Sequence, residues 1–96
     1  MNDQLIEQAK RNAAARAVAF VTQGMLVGLG SGSTASFAIE LIGKRVNAGL
    51  KIRAVASSVK SEFLAARWGI PLIEPGRNDV IDLAIDGADE VDTSGN

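Results

Sequence analysis

Between residues 3 and 21 apolar positions recur every three or four residues. Leu5, Ile6, Ala9, Ala13, Ala17, Phe20 and Val21 fall near one stripe, the pattern of an amphipathic helix. Asn2 or Asp3 can cap its start and Gly24 can close its end. Lys10, Arg11 and Arg16 lie off the stripe and read as a solvated face. Met25 to Val27 is a short apolar run that reads as a strand. Ser36 to Val46 carries Phe37, Ala38, Leu41, Ile42 and Val46 at helical spacing, and Asn47-Ala48-Gly49 is a natural stop. Ile52 to Ala56 predicts a second strand. A third helix, capped by Ser57 or Ser58, runs to about Trp68 with Gly69 as its terminator. Ile70 to Ile73 predicts a third short strand, Glu74 to Asn78 a turn by composition, and Val80 to Ile85 a fourth strand. Val91 to Asn96 resembles a hairpin turn cut short. Strands alternating with helices predict an α/β fold: an open, mostly parallel sheet with crossover helices, Rossmann-like.

Composition narrows the function classes. The chain has 96 residues, enough for one small domain, and 47% of them are hydrophobic, enough for a packed core. Ten Lys and Arg against eleven Asp and Glu give a net charge of −1. That balance argues against a nucleic-acid partner or an anionic membrane surface, either of which needs a basic patch. No run approaches the ~18 apolar residues of a membrane span. The first apolar residues, Leu5 and Ile6, are followed at once by charge, unlike a signal peptide. A cytoplasmic location is the expectation. With no cysteine and no histidine, thiolate metal sites and imidazole bases are excluded. Acid–base chemistry must rest on carboxylates, lysines or hydroxyls.

Between the first strand and the second helix lies Gly28-Leu29-Gly30-Ser31-Gly32-Ser33-Thr34-Ala35. A strand, a glycine-rich turn and a helix start together make an anion site, because the first N–H groups of a helix point outward unpaired and the helix dipole is positive there. The loop lacks the lysine of a Walker A motif. It has Ser33 where a dinucleotide fingerprint needs its third glycine, and it does not fit a nucleophile elbow. A plain tight turn without a ligand is the bland alternative. The second feature is Asp86-Gly87-Ala88-Asp89-Glu90, three carboxylates in five residues after an apolar strand. Asp-Gly alone suits a tight turn. Asp86 and Asp89 can instead face one ligand, where like charges held close raise one pKa and suit proton movement on sugar hydroxyls. A divalent metal is the competing use, although the spacing is not that of an EF-hand. The glycine loop, Ser57-Ser58 and the acidic block all fall at carboxyl ends of expected parallel strands, where such sheets bind ligands.

The three blocks together, Val27 to Ala35, Ala56-Ser57-Ser58 and Asp86 to Glu90, resemble the A-type ribose-5-phosphate isomerase family in order and interval. The acidic block is the more specific; related sugar-phosphate and CoA-transferase folds use similar glycine loops. The resemblance implies interconversion of ribose 5-phosphate and ribulose 5-phosphate through an enediolate, with no metal or organic cofactor. It implies that Gly30, Ser31, Gly32, Ser33 and Thr34 line the substrate and phosphate site. Asp86, Gly87, Ala88 and Asp89 would contact the sugar, with Asp86 and Asp89 as the acids that assist ring opening and hydroxyl proton movement. Ser57 and Ser58 would be secondary contacts, or simply cap a helix. The family's principal glutamate base and a substrate-binding lysine lie beyond the point where this sequence stops, and Glu90 is not that glutamate. The chain is therefore expected to be the N-terminal half of a single isomerase domain, inactive and marginally stable by itself. It would associate as a homo-oligomer, dimer or tetramer, with a small sugar phosphate as its substrate. A non-catalytic sugar-phosphate sensor of related fold is the alternative, predicting binding without turnover.

Overall fold

The computed structural model describes residues 3–74, 76 and 79–85. The order of elements is α1 (Asp3–Val18), β1 (Leu26–Leu29), α2 (Ser33–Asn47), β2 (Arg53–Ala56), α3 (Val59–Arg67) and β3 (Leu83–Ile85). The three strands form one parallel sheet in the order β2-β1-β3. Val27 sits opposite Ala54 on one side and Leu83 on the other, and Leu29 opposite Ala56 and Ile85. β1 is the central strand, and three of its four residues are buried, as a strand covered on both faces requires.

α1 packs on α2, α2 on α3, and α3 on β2. One core joins them: Ala14, Ala17, Val18 and Val21, then Val27 and Leu29, then Ile39 and Ile42, with Ala54, Ala65, Ile70 and Ile85. The buried stripe of the first helix is thus rotated from the expected one. Its C-terminal half turns Ala14, Ala17 and Val18 inward, whereas Leu5 and Phe20 are each 60% exposed. Small side chains win that face because α1 lies close against α2. The helix also ends at Val18 and not Val21. Phe20 and Val21 donate instead to the carbonyls of Ala17 and Val18 at 3.1 and 2.9 Å, a tighter final turn. The carbonyl of Val18 accepts a second bond from Arg45 Nη1 at 2.8 Å, which ties the end of α1 to α2.

Two expected strands come out shorter. Residues 70–73 make a single parallel bridge, Leu72 to Ala54. Ala54 donates to the carbonyl of Pro71 at 2.8 Å and accepts from Ile73 at 2.9 Å, but Pro71 has no N–H with which to lengthen the ladder. β3 starts at Leu83, three residues late, because Asp82 caps the pairing. Its carboxylate accepts from Leu26 N at 2.9 Å and its own N–H donates to the Leu26 carbonyl at 2.8 Å. Conversely, β1 runs two residues further than its apolar run, through Gly28 and Leu29.

The α2–α3 contact depends on one missing side chain. A Cβ built on Gly43 would lie 2.5 Å from Cβ and 2.6 Å from Cγ of Trp68. Asn47 clamps the same contact, donating from Nδ2 to the carbonyls of Gly43 at 2.7 Å and Trp68 at 3.1 Å. Gly43→Ala is therefore expected to destabilise the fold by about 1–2 kcal/mol. Overpacking costs about 1–3 kcal/mol, offset by up to ~1 kcal/mol of helix propensity. A lower denaturant midpoint at unchanged slope is the expected reading. An unchanged or higher midpoint would mean that α3 yields without cost.

Candidate functional site

The sheet order places a topological switch at β1. The chain leaves β1 for β2 on one side and later returns as β3 on the other, and a crevice opens beyond the carboxyl ends of strands at such a point. Backbone bonds hold the loop there. Gly30 N donates to the Ile85 carbonyl at 2.7 Å, and Ser57 N donates to the Leu29 carbonyl at 3.0 Å. The ends of all three strands therefore converge on Leu29 and Gly30. Asp86 is joined by a peptide bond to Ile85; Asp86, Gly87, Ala88 and Asp89 themselves lie outside the described residues.

α2 begins at Ser33, three residues before the expected start, so Ser33 and Thr34 occupy its first turn. Its N-cap is Gly32, at φ 100° and ψ 175°, with no side-chain cap bond. This backbone region is open essentially to glycine alone. The Ser36 hydroxyl donates to the Gly32 carbonyl at 3.0 Å, as does Ser36 N, so it does not cap the leading amides. The first turn of α2 contains no acidic residue. Among the described residues, the first N–H groups of the helix and its positive dipole end thus have no carboxylate or hydroxyl cap from the helix's own start. In the same turn, Thr34 is fully buried and its Oγ1 has no hydrogen-bond partner among the described residues, a cost of about 1–3 kcal/mol unless an oxygen or donor arrives to meet it.

A cleft opens between the starts of α1 and α2, lined by Ile6, Glu7, Lys10, Ser33 and Phe37. Lys10 thus stands in the same cleft as Ser33, the first residue of α2. The Arg11 guanidinium lies 4.3 Å over the Phe37 ring and 3.4 Å from Glu7 Oε2. Lys10 belongs to the cleft wall and not to a simple solvated face. Sequence periodicity carries no signal for this, since it arises from the way α1 packs across α2.

Ser57 is exposed at the end of β2, next to the loop. Ser58 is the N-cap of α3: its Oγ accepts from Ser61 N at 3.1 Å. Ser61 was not among the expected site residues. It is buried, receives the Ser58 hydroxyl at 3.0 Å and donates its own hydroxyl to the Gly30 carbonyl. The only sequence signal for it is the Ser-x-x-Ser spacing of a capped helix start. Among the described residues no group of three or more carboxylates, histidines or cysteines is placed to hold a metal ion.

Comparison with known proteins agrees with this arrangement. Residues 53–96 match the family model for ribose 5-phosphate isomerase A (phosphoriboisomerase A). The chain is 52% identical over 86 residues to ribose-5-phosphate isomerase A of Thermomicrobium roseum, covering 90% of this chain and 36% of that one. It is 50% identical over 91 residues to the Protochlamydia amoebophila protein of the same name, covering 95% of this chain and 39% of that one. That match leaves out too few residues to miss either the glycine loop or the acidic block. Among solved structures, a D-ribose-5-phosphate isomerase in complex with phospho-erythronic acid superposes at a TM-score of 0.81, with 35% identity, over 90% of this chain and 37% of that one. The Methanocaldococcus jannaschii ribose 5-phosphate isomerase A superposes at 0.77, with 36% identity, over 83% and 36%. The chain thus spans a little over a third of the length of the relatives it matches, nearer a third than the expected half. In its glycine loop, its parallel three-stranded switch point and these likenesses, the chain is similar to about a third of an A-type ribose-5-phosphate isomerase.

Proposed function

We propose that this chain is the substrate-gripping part of an isomerase domain that interconverts ribose 5-phosphate and ribulose 5-phosphate. The observation that carries the reading is the start of α2. Gly32 precedes amides without a side-chain cap, and in the same first turn the buried Thr34 hydroxyl has no partner among the described residues. In this reading Gly30, Ser31, Gly32, Ser33 and Thr34 hold the phosphorylated sugar by backbone N–H groups and hydroxyls. Lys10, on the cleft wall beside Ser33, adds positive potential. Ser57 is a secondary contact and Ser58 serves by capping α3. Asp86 and Asp89, with Gly87 and Ala88 between them in the sequence, receive the sugar end and move protons on its hydroxyls. The reaction removes the proton from C2 of the aldose to give an enediolate, whose charge rests on the oxygen of C1, and then protonates that oxygen. It then returns a proton to C1 while the C2 hydroxyl loses its own. The carbon base belongs to the part of the domain beyond this sequence. No step calls for a metal or organic cofactor.

The ligand of the similar solved structure, phospho-erythronic acid, is a phosphorylated sugar acid and fits a site that grips phosphate at one end and oxygen at the other. The near-neutral charge supports a small-molecule substrate over nucleic acid or a charged membrane surface. Among the described residues no helix is long and apolar enough to cross a membrane. We read the whole protein as a cytoplasmic homo-oligomer, a dimer or tetramer. Exposed Val59, Phe63, Val80 and Ile81 are surface for the rest of the domain or a second subunit to cover.

The test is conversion of ribose 5-phosphate by the full-length protein without added metal, compared with Thr34→Val. The substitution keeps the side-chain shape and removes the hydroxyl. Loss of an unsatisfied buried polar group leaves the fold as stable or more so, while substrate affinity is expected to fall about tenfold, the ~1.4 kcal/mol of one hydrogen bond to a charged ligand. A wild-type protein that binds ribose 5-phosphate without turning it over would establish the sensor instead. Unchanged KM in Thr34→Val would remove that hydroxyl from the site.

A further inference from the structure

A serine pair links α3 to the glycine loop. Ser58 Oγ–H donates to Ser61 Oγ at 3.0 Å, and Ser61 Oγ–H donates to the carbonyl of Gly30, 31 residues earlier in the chain. Ser61 is 2% exposed, so water does not compete for the bond. The other polar group of Gly30 is fixed as well, its N–H bonded to the Ile85 carbonyl at 2.7 Å. The peptide plane between Gly30 and Ser31 is therefore pinned from the α3 side. That plane leads directly into Ser31 and Gly32, the exposed residues whose backbone presents the start of α2. No other side chain among the described residues is recorded bonding the backbone of Gly30 or Ser31. From this hydroxyl relay we infer that Ser61 is a positioning residue of the isomerase site. It touches no substrate, and it holds the Gly30 carbonyl so that the loop amides face the phosphate group. The inference rests on the reading of the glycine loop as the phosphate grip.

The consequence is specific to binding. Phosphate is gripped equally in the ground state and the transition state, so loosening the loop removes uniform binding and raises KM with little change in kcat. A purely structural serine would behave otherwise: its loss would lower the folded fraction, and so the apparent kcat, at unchanged KM.

The experiment uses the full-length protein with Ser61→Ala, Ser61→Cys and Ser61→Thr. KM for ribose 5-phosphate and the inhibition constant for inorganic phosphate are expected to rise together about 5- to 10-fold in Ser61→Ala, with kcat within about 2-fold of wild type. Ser61→Cys fills the same space with a weak donor, so it gives the same split even if the alanine variant folds poorly. Ser61→Thr restores the hydroxyl and is expected to return both constants toward wild type. A fall in kcat at constant KM, or unchanged constants in both the alanine and cysteine variants, would overturn the inference. A wild-type protein that neither turns over ribose 5-phosphate nor is competed by phosphate would overturn the underlying function instead.

Discussion

Gly32→Val is expected to raise KM for ribose 5-phosphate, and the inhibition constant for phosphate, by about 30-fold or more. At φ 100° and ψ 175°, Gly32 occupies backbone space that side-chain-bearing residues do not share. Asparagine, which tolerates the left-handed helical region, gains nothing here, because that region lies near ψ +47°. Valine would force the Ser31–Ser33 backbone to rotate, and the amides leading α2 would rotate with it. The strain alone is worth about 2 kcal/mol or more, and relieving it moves the donors away from the anion. The expected result is a modest fall in Tm together with a large fall in affinity. Parallel assays of Gly32→Val and of Gly24→Ala, another positive-φ glycine, at φ 86° with open space around it, separate the two effects. Gly24→Ala pays strain without touching the site. Equal KM changes in the two variants would refute the special role of Gly32.

The second large effect is expected from Asp86→Asn. Asparagine keeps the shape and some hydrogen bonding of aspartate but can neither take up nor release a proton near neutral pH. General acid–base assistance is worth about 10²–10⁴-fold, so kcat should fall within that range while KM changes little. The placement supports this. Asp86 follows Ile85 by one peptide bond, and the Ile85 carbonyl accepts from Gly30 N at 2.7 Å, at the start of the glycine loop. No histidine of this sequence can substitute for it. Retention of more than about a third of wild-type kcat would place the proton chemistry elsewhere.

The elements that sequence alone made legible are those with a strong local cause. Apolar runs ended by glycine predicted α2, α3 and the strands flanking them. Ser58 capped α3, and Gly49 and Gly69 follow their helices in positive φ as terminators should. The glycine loop and the acidic block stood out because glycines with hydroxyls, and three carboxylates in five residues, are costly to crowd without a reason. The misses have tertiary causes. Ser-Gly-Ser-Thr reads as loop by composition, yet Ser33 and Thr34 are helical because a glycine N-cap lets the turn close immediately before them. The buried stripe of α1 favoured alanines over Leu5 and Phe20 because close approach to α2 outweighs hydrophobicity. Ser61 and Lys10 look like ordinary helix-surface residues in one dimension. Their relation to the loop exists only after α3 and α1 have packed. Pro71, by contrast, was a visible warning that residues 70–73 could not ladder fully.

The sheet order also bears on the sequence of folding events. The central strand β1 meets β2 at a separation of 27 residues, Leu26 to Arg53, but meets β3 at 56, Val27 to Leu83. Doubling the loop adds only about 0.6 kcal/mol of closure entropy, yet the longer closure is rewarded by three register pairs against four. β1, α2 and β2 form the more local unit, and β3 docks onto it. The bond from Gly30 to Ile85 belongs to that longer-range pairing. The Gly30–Ile85 bond beyond the sheet thus depends on the more distant of the two strand pairings, so a ligand gripped there would act as a latch on the docking of β3.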